Sequence, residues 1–507
     1  MAYGKPTVKV YVKFDGVVWT DITSDTIAKD GLDITYGISG TGPLDNVAST
    51  GICTFNLQNW DVSGQYSPGH ASVIAGWVIG VPIKVTFLSA DALTEVVKFV
   101  GKVTKIDPDP GRYAFKKVHV TAEDGMGLLA NAVVRNIVAQ ITKTEVELIQ
   151  AVHSALPASV APATTSLDTA LDSYPYAFYD VSAGARAMGL IKDVIDSAFG
   201  LYFQRGDGTH VYMNRESRTY TESVDTITEN DMVGLSSSVE FSQLINRFVI
   251  ETPQVVKGTS IEVLASFSGT DATGIDDGAT VEIWANYADP NDTGTAPRSI
   301  AGTSMIAPVA TTDYTYNSAA DGSGTNLTAS VSVTATYFTG SVKYTITNSS
   351  GSKAYRTLLR SRGYAIRTYN PVTVIAESVE DYGEITQNIS LKFQNNLGTA
   401  AFIADYLLSQ YSAQVDRPQT LSINPHASER LMAHVMEREP GDRISLTETQ
   451  TGLSADAIIN NISIKVSQGD WITCTWGLAP QSSYMFISPW KLGTVGRSEV
   501  GTTTVVG

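Results

Sequence analysis

The sequence predicts a mainly β, multi-domain protein with α+β parts, and three observations carry that expectation. Its 507 residues exceed what one ordinary hydrophobic core organises, so about three to five domains are expected. The chain is rich in Gly, Thr, Ser and Val and holds 23 Tyr, a composition that favours strands and turns over helices. Runs of strict apolar–polar alternation recur along it, the mark of strands with one buried face.

The first of these runs places Val8, Val10, Val12 and Phe14 against Lys9, Tyr11 and Lys13. Ile83, Val85 and Phe87 then alternate with Lys84 and Thr86, and FKKVHVTA continues the pattern through Val118 and Val120. Turn signals at Asp15-Gly16 and DPDPG separate the runs, so residues 1–125 read as an antiparallel barrel or sandwich. Helices enter in 126–254. Thr144 stands three residues before Glu147, a capping-box spacing, and Pro157 closes that segment. A second helix has Ser182 as its candidate cap, Leu190, Ile191, Val194, Ile195 and Phe199 on its apolar side, and Gly200 at its end.

After it, LYFQ and THVYM alternate as two strands joined by Arg205-Gly206-Asp207-Gly208. Asp207 and Gly208 both tolerate positive φ, which makes them a favoured hairpin pair, and the RGD tripeptide reads as a by-product of the turn. Residues 255–365 shift to Thr, Ser, Ala and Gly, and SVSVTATYF and SVKYTITNSSGSK predict an inserted β-sandwich. In 366–487 a helix returns, with Thr399 as its cap and Phe402, Ile403, Tyr406 and Leu407 as its apolar face. A hairpin follows, pairing Ile462, Ile464 and Val466 with Ile472, Cys474 and Trp476. Residues 488–507 read as an extended arm.

The formal net charge of −16 gives no basic footprint for gripping nucleic acid, although an acidic wall lets DNA pass without sticking. Two cysteines, Cys53 and Cys474, build no disulfide framework and are expected as buried thiols. The opening residues lack the apolar core of a signal peptide, and ASVIAGWVIGVPIKVTF is too short and too broken to span a membrane. A soluble protein suited to a reducing cytoplasm is expected. His70, His119, His153, His210, His426 and His434 are scattered without zinc-ligand spacing, and His119 and His210 read as solvated strand positions. Asp107 and Asp109 read as a proline-stiffened turn rather than a calcium loop. Neither a nucleophile elbow nor a P-loop occurs. A pair of carboxylates for glycoside hydrolysis stays open, because their separation is a tertiary property. No catalytic, cofactor-binding or metal residue is singled out, and no cofactor is expected.

Several passages, taken in order, resemble the central tail hub or minor tail proteins of long-tailed bacteriophages. They are FNLQNWDVSGQYSPGHASVIAGWVIGVPIKVTF, FVGKVTKIDPDPG with FKKVHVTAEDGMGLLANAVV, IKDVIDSAFGLYFQRGDGTHVYMNR, FSQLINRFVIETP, TITNSSGSKAYRTLLRSRGYAI, EREPGDRISL and WKLGTVGRSEVGTTT. The family's DGRY is replaced here by DVSGQY. The resemblance implies two tube-like β-barrels per chain and a homotrimer ring at the distal end of the tail in the virion, made in the host cytoplasm. It also implies a distal tail protein or tail tube, a tape-measure protein and tail fibre or receptor-binding proteins as partners, with phage DNA passing through. A receptor- or carbohydrate-binding adhesin is the alternative. Its marker would be an aromatic surface in the insert, for which Trp284, Tyr287, Tyr314 and Tyr316 are candidates, though packing inside the sandwich is expected of them. An envelope-opening enzyme is the third reading, and cleavage of glycan or peptide by the purified protein would reveal it.

The hairpin reading makes a direct prediction. Asp207→Asn is expected to leave assembly and infectivity nearly intact, whereas Gly208→Val destabilises by forcing a β-branched residue into a glycine conformation. Particle yield and thermal unfolding of the two variants check this. A well-folded Asn variant that fails to infect would restore a specific contact through Asp207.

Overall fold

The computed structural model describes residues 4–481 except 41, 43, 60–63, 91–92, 111–115, 136, 182–183, 221, 239–243, 269–272, 296, 379–382 and 413–416. The candidate cap Ser182 and the arm at 488–507 lie outside the described residues.

The early alternations become β1 (Thr7–Val12), β2 (Thr20–Asp21), β3 (Leu32–Gly37), β4 (Ser49–Gln58), β5 (Pro82–Leu88), β6 (Glu95–Pro108) and β7 (Lys117–Glu123). All their pairings are antiparallel. Val8, Val10, Val12, Ile83, Val85, Phe87, Val118 and Val120 are buried, as period-two patterning requires.

The chain then turns helical. Asp124 caps α1 (Gly125–Asn131), accepting the N–H groups of Met126 and Gly127 at 3.0 and 3.3 Å. After β8 (Val133–Val134) and β9 (Gln140–Thr144) comes α2 (Glu145–Ser154). Its capping box is complete: Glu147 N–H donates to Thr144 Oγ1 at 3.3 Å, and Thr144 N–H donates to Glu147 Oε2 at 2.9 Å. Next are β10 (Thr165–Leu167), β11 (Ser173–Ala177), β12 (Ala185–Arg186), α3 (Ala187–Ala198), β13 (Leu201–Gln204), β14 (His210–Met213), α4 (Arg215–Tyr220), β15 (Thr226–Thr228) and β16 (Met232–Ser238). Leu190, Ile191, Val194 and Ile195 of α3 are buried. The left-handed residue that ends α3 is Phe199, at φ 56°, and not Gly200. Burial of the Phe199 ring, edge-on to Tyr406 at 5.7 Å, offsets the ~1–2 kcal/mol cost of that conformation. Gly200 is needed for space instead, since a Cβ there would lie 2.6 Å from the Met213 carbonyl oxygen.

The insert leaves on β17 (Arg247–Lys257) and proceeds through β18 (Glu262–Ser268), β19 (Thr280–Asn286), β20 (Ala301–Ile306), β21 (Tyr314–Asn317), β22 (Val331–Tyr337) and β23 (Ser341–Asn348). It returns on β24 (Tyr355–Glu377), which pairs with β17 from Lys257–Ile366 to Arg247–Glu377. One sheet has β18, β17, β20 and β21 on β24, the other runs β19-β23-β22, and Tyr287, Tyr316, Tyr344 and Leu359 fill the core they share. β25 (Thr386–Ser390) adds to β17 in parallel, and α5 (Leu397–Tyr411) packs on β17 and β24. The cap of α5 is Asn396 and not Thr399. The Asn396 side chain accepts the N–H of Gly398 and of Thr399 at 2.9 and 3.3 Å, which leaves Thr399 buried in the first turn.

The last elements are β26 (Arg417–Ile423), α6 (Glu429–Glu437), β27 (Arg443–Glu448), β28 (Leu453–Ser467) and β29 (Trp471–Gln481). They do not form a second barrel apart from the first. One edge of β28 pairs with β27 through Ile458 and with β3 from Asn461 onward, while β29 runs along its other edge. The result is a 13-stranded sheet in the order β16-β26-β29-β28-β3-β4-β7-β6-β5-β1-β2, with β27 and β15 attached at the side. Its end strands do not pair with each other among the described residues, so the two expected barrels are not closed. A single in-register row, Ile423, Cys474, Ile464, Ile34, Cys53, Ala122 and Val103, crosses both halves and is buried throughout. Both thiols sit in it, and burial pushes Cys474 up to about 12 and Cys53 higher still. No helix among the described residues is long and apolar enough to cross a membrane.

One break in register buries a charge. Between the pairs Val85–Phe99 and Thr86–Val97, β6 carries an extra residue, Lys98. This bulge turns Lys98 inward next to the buried Phe99. Lys98 Nζ lies 3.0 Å from Glu439 Oε1 and donates to the Arg438 carbonyl at 3.2 Å. The other Glu439 oxygen accepts the Gly206 N–H at 3.1 Å. Three distant segments thus meet at one buried ion pair. Lys98→Met is expected to destabilise by about 3–5 kcal/mol, because Glu439 is left without its cation, and Lys98→Met/Glu439→Leu should recover most of that loss. Urea unfolding midpoints of the single and double variants measure it.

Candidate functional site

The RGD turn is positioned by β13 and β14. Arg205 N–H donates to the Thr209 carbonyl and Gly208 N–H to the Arg205 carbonyl, both at 2.9 Å. Gly208 has φ +91°, whereas Asp207 does not adopt positive φ. The Asp207 carboxylate instead accepts the Thr209 N–H at 2.8 Å, a local turn contact. Gly206 is buried against the Lys98 backbone, where a Cβ would come within 2.9 Å. The tripeptide is therefore seated on the sheet, with Asp207 alone fully at the surface.

His210 is buried, which corrects its reading as a solvated strand residue. β14 lies between β10 and β13, so both edges of its backbone are paired and its side chains are enclosed. The Tyr202 hydroxyl sits 2.9 Å from His153 Nε2 and 3.1 Å from His210 Nδ1. Burial lowers His153 to about 4, and burial with His153 nearby lowers His210 to about 3, so both rings are neutral at pH 7. No sequence spacing announces this cluster, since it joins α2 to a hairpin.

The other candidates stay apart. His119 is partly exposed, 3.4 Å from Asp109, while Asp107 pairs with Lys105 at 2.8 Å and is lowered by it. His434 Nε2 meets Asp225 at 2.7 Å. His426 Nε2 accepts the Ile472 N–H at 2.9 Å, and its ring stacks on Trp471. His70 Nδ1 accepts the Ser72 N–H in a local turn. Among the described residues no group of three or more His, Cys, Asp or Glu is arranged to hold a metal ion.

In the insert, Tyr287, Tyr314 and Tyr316 are buried as expected, but Trp284 is 51% exposed. Alternation along β19 points Ala285 and Tyr287 inward and leaves Trp284 outside. Its ring stacks on Phe338 with centroids 5.2 Å apart at 22°. Trp284 lines a cleft of about 520 Å³ whose walls include Asp180 of the helical layer and Ile366 of β24. The two layers also touch through Thr339 Oγ1, which donates to the Ile137 carbonyl at 3.4 Å.

Among the described residues the main path of the large sheet ends at β2 and β16, and its side branch at β15. Val17 and Val18 just before β2, and Val78 and Ile79 just before β5, are all more than half exposed, and on β16 Val233 is 70% exposed. Free strand edges flanked by apolar side chains are what isolated monomers avoid and assembling subunits use.

No family model matches this chain, and no curated protein matches it. Among solved structures, the tail protein from Neisseria meningitidis MC58 superposes with a TM-score of 0.51 at 9% identity, over 96% of this chain and 98% of that one. This chain shares its fold with that tail protein. The 43 kDa tail protein of prophage MuSo2 from Shewanella oneidensis gives a TM-score of 0.46 at 7% identity, over 93% and 97%. Prophage tail protein gp18 from Listeria monocytogenes EGD-e gives 0.42 at 8%, over 93% and 94%.

Within this fold the histidine cluster sets an acid limit. Both native pKa values lie below the unfolded value of about 6.5, so the unfolded chain takes up protons first as pH falls. The contribution of the two histidines is complete above pH ~6.5 and declines towards pH ~4, by on the order of 1 kcal/mol for each unit of displacement. His153→Gln keeps a hydrogen-bonding group beside Tyr202 and removes one titration. Thermal scans should show a smaller drop between pH 7 and 4.5 for this variant than for the parent.

Proposed function

We propose that this chain is a structural, non-enzymatic virion protein, the central hub at the distal end of a phage tail. The observation that carries the reading is the fold shared with a tail protein over nearly the whole of both chains. The hub continues or closes the tail tube and anchors the tail-tip and receptor-binding proteins. Its partners are a distal tail protein or the tube itself, the tape-measure protein, tail fibres and, in transit, phage DNA. The functional units are 1–125 and 366–487 as tube-like parts, 126–254 as an α+β layer, 255–365 as an insert and 488–507 as an arm. The edges at β2 and β16 support assembly into a ring, because neighbouring chains can cover what one chain leaves open.

The outward face of the central strands supports a wall that DNA slides past. Thr35, Thr54, Ser463, Thr473 and Thr475 dominate it, and Lys465 stands opposite Asp33. Hydroxyls and a compensated lysine give little hold on phosphates. Electron microscopy of tail tips labelled on this protein should show a threefold ring around a central passage. A single copy, or a ring of another symmetry, would overturn the assembly.

A further inference from the structure

The cleft beside Trp284 has the makings of a ligand site that a tail hub does not require. Phe338 backs the indole, which remains half exposed and presents a flat apolar plane to the cleft. Around it stand Asp180, Asn286, Ser341 and Thr368. Lys392 lies 2.9 Å from Asp180 Oδ2 and is shared with Asp193 at 2.7 Å. The side chains of Asn286, Ser341 and Thr368 make no hydrogen bond to another side chain or to backbone among the described residues. Several polar groups with free hydrogen-bonding capacity therefore share the lining of one cleft with a half-exposed aromatic ring.

We propose that this cleft binds a neutral hexopyranose unit. A pyranose ring has an apolar C–H face and a rim of hydroxyls, which is the complement of an indole plane ringed by carboxylate, amide and hydroxyl groups. The Asp180 carboxylate accepts sugar hydroxyl protons, and the Asn286 amide both donates and accepts across neighbouring hydroxyls. Among the described residues lining the cleft the one charged group is the Asp180 carboxylate, which disfavours an anionic sugar beside it. A volume of about 520 Å³ falls within the range of about 300–1,000 Å³ typical of small-molecule sites.

The test uses the full chain and four probes, the methyl pyranosides of glucose, galactose, mannose and N-acetylglucosamine, in saturation-transfer NMR at millimolar sugar. Transfer to the ring C–H protons of at least one probe is expected. Trp284→Ala should weaken that binding about 10-fold, equivalent to about 1.4 kcal/mol, while the chain stays folded with a cooperative thermal transition only modestly lowered by loss of the Phe338 stacking. Trp284→Tyr should retain part of it, and Asn286→Ala, which leaves the indole in place, should also weaken it. Transfer from none of the four probes, or equal transfer to the parent and to Trp284→Ala, overturns the site. These outcomes are independent of the tail reading, since a ring can form without a sugar site and a sugar site can exist without a ring.

Discussion

Six residue pairs between β3 and β28, from Asn461–Gly37 to Val466–Leu32, hold the beginning of the chain to its end. The junction is reinforced where Asn461 Nδ2 donates to the Ile38 carbonyl, a contact spanning 423 positions. Everything in the large sheet depends on this seam. Without it the buried row from Ile423 to Val103 would split between Ile464 and Ile34, and each half would expose an apolar edge. The seam also means that the first strands cannot complete their sheet until the last have been made. Contacts so distant in sequence are slow to form, because the loop-closure entropy is lost before the contacts repay it.

The seam leaves polar groups to be satisfied inside, and the chain does so with charges held in place by neighbours from other layers. Lys98 and Glu439 tie the sheet to the Gly206 turn. Arg215 lies 2.6 Å from Asp172, and the buried Glu145 accepts the N–H groups of Leu171 and Asp172. Such pairs add little net stability over apolar packing, but a wrongly assembled layer would strand their charges. They therefore set how the helical layer and the sheet meet. The insert is joined differently, through the continuous strands β17 and β24 and the apolar contact of Ala301 and Ile366 with the helical core. The cleft beside Trp284 lies at that junction, with Ala301 and Ile366 in its wall.

Alternation and turn chemistry are local properties that the sequence by itself determined, and so is the complete Thr144–Glu147 box, whereas the cap of α5 fell to Asn396 rather than Thr399. The inward faces of β1, β5 and β7, the Thr144–Glu147 box, the hairpin around Gly208 and the burial of Tyr287 and Tyr316 all follow from residues within a few positions of one another. Tertiary structure alone decided the rest. Strand partners are chosen by the whole sheet, so two expected barrels became one open sheet through β28. A bulge, invisible in composition, buried Lys98. A second pairing edge on β14 enclosed His210, and the Tyr406 ring made a phenylalanine the left-handed end of α3. Alternation along β19 put Trp284 outside, but only the approach of the helical layer turned that exposed ring into the wall of a cleft. Local sequence sets which way a side chain points; what it meets there depends on segments hundreds of residues away.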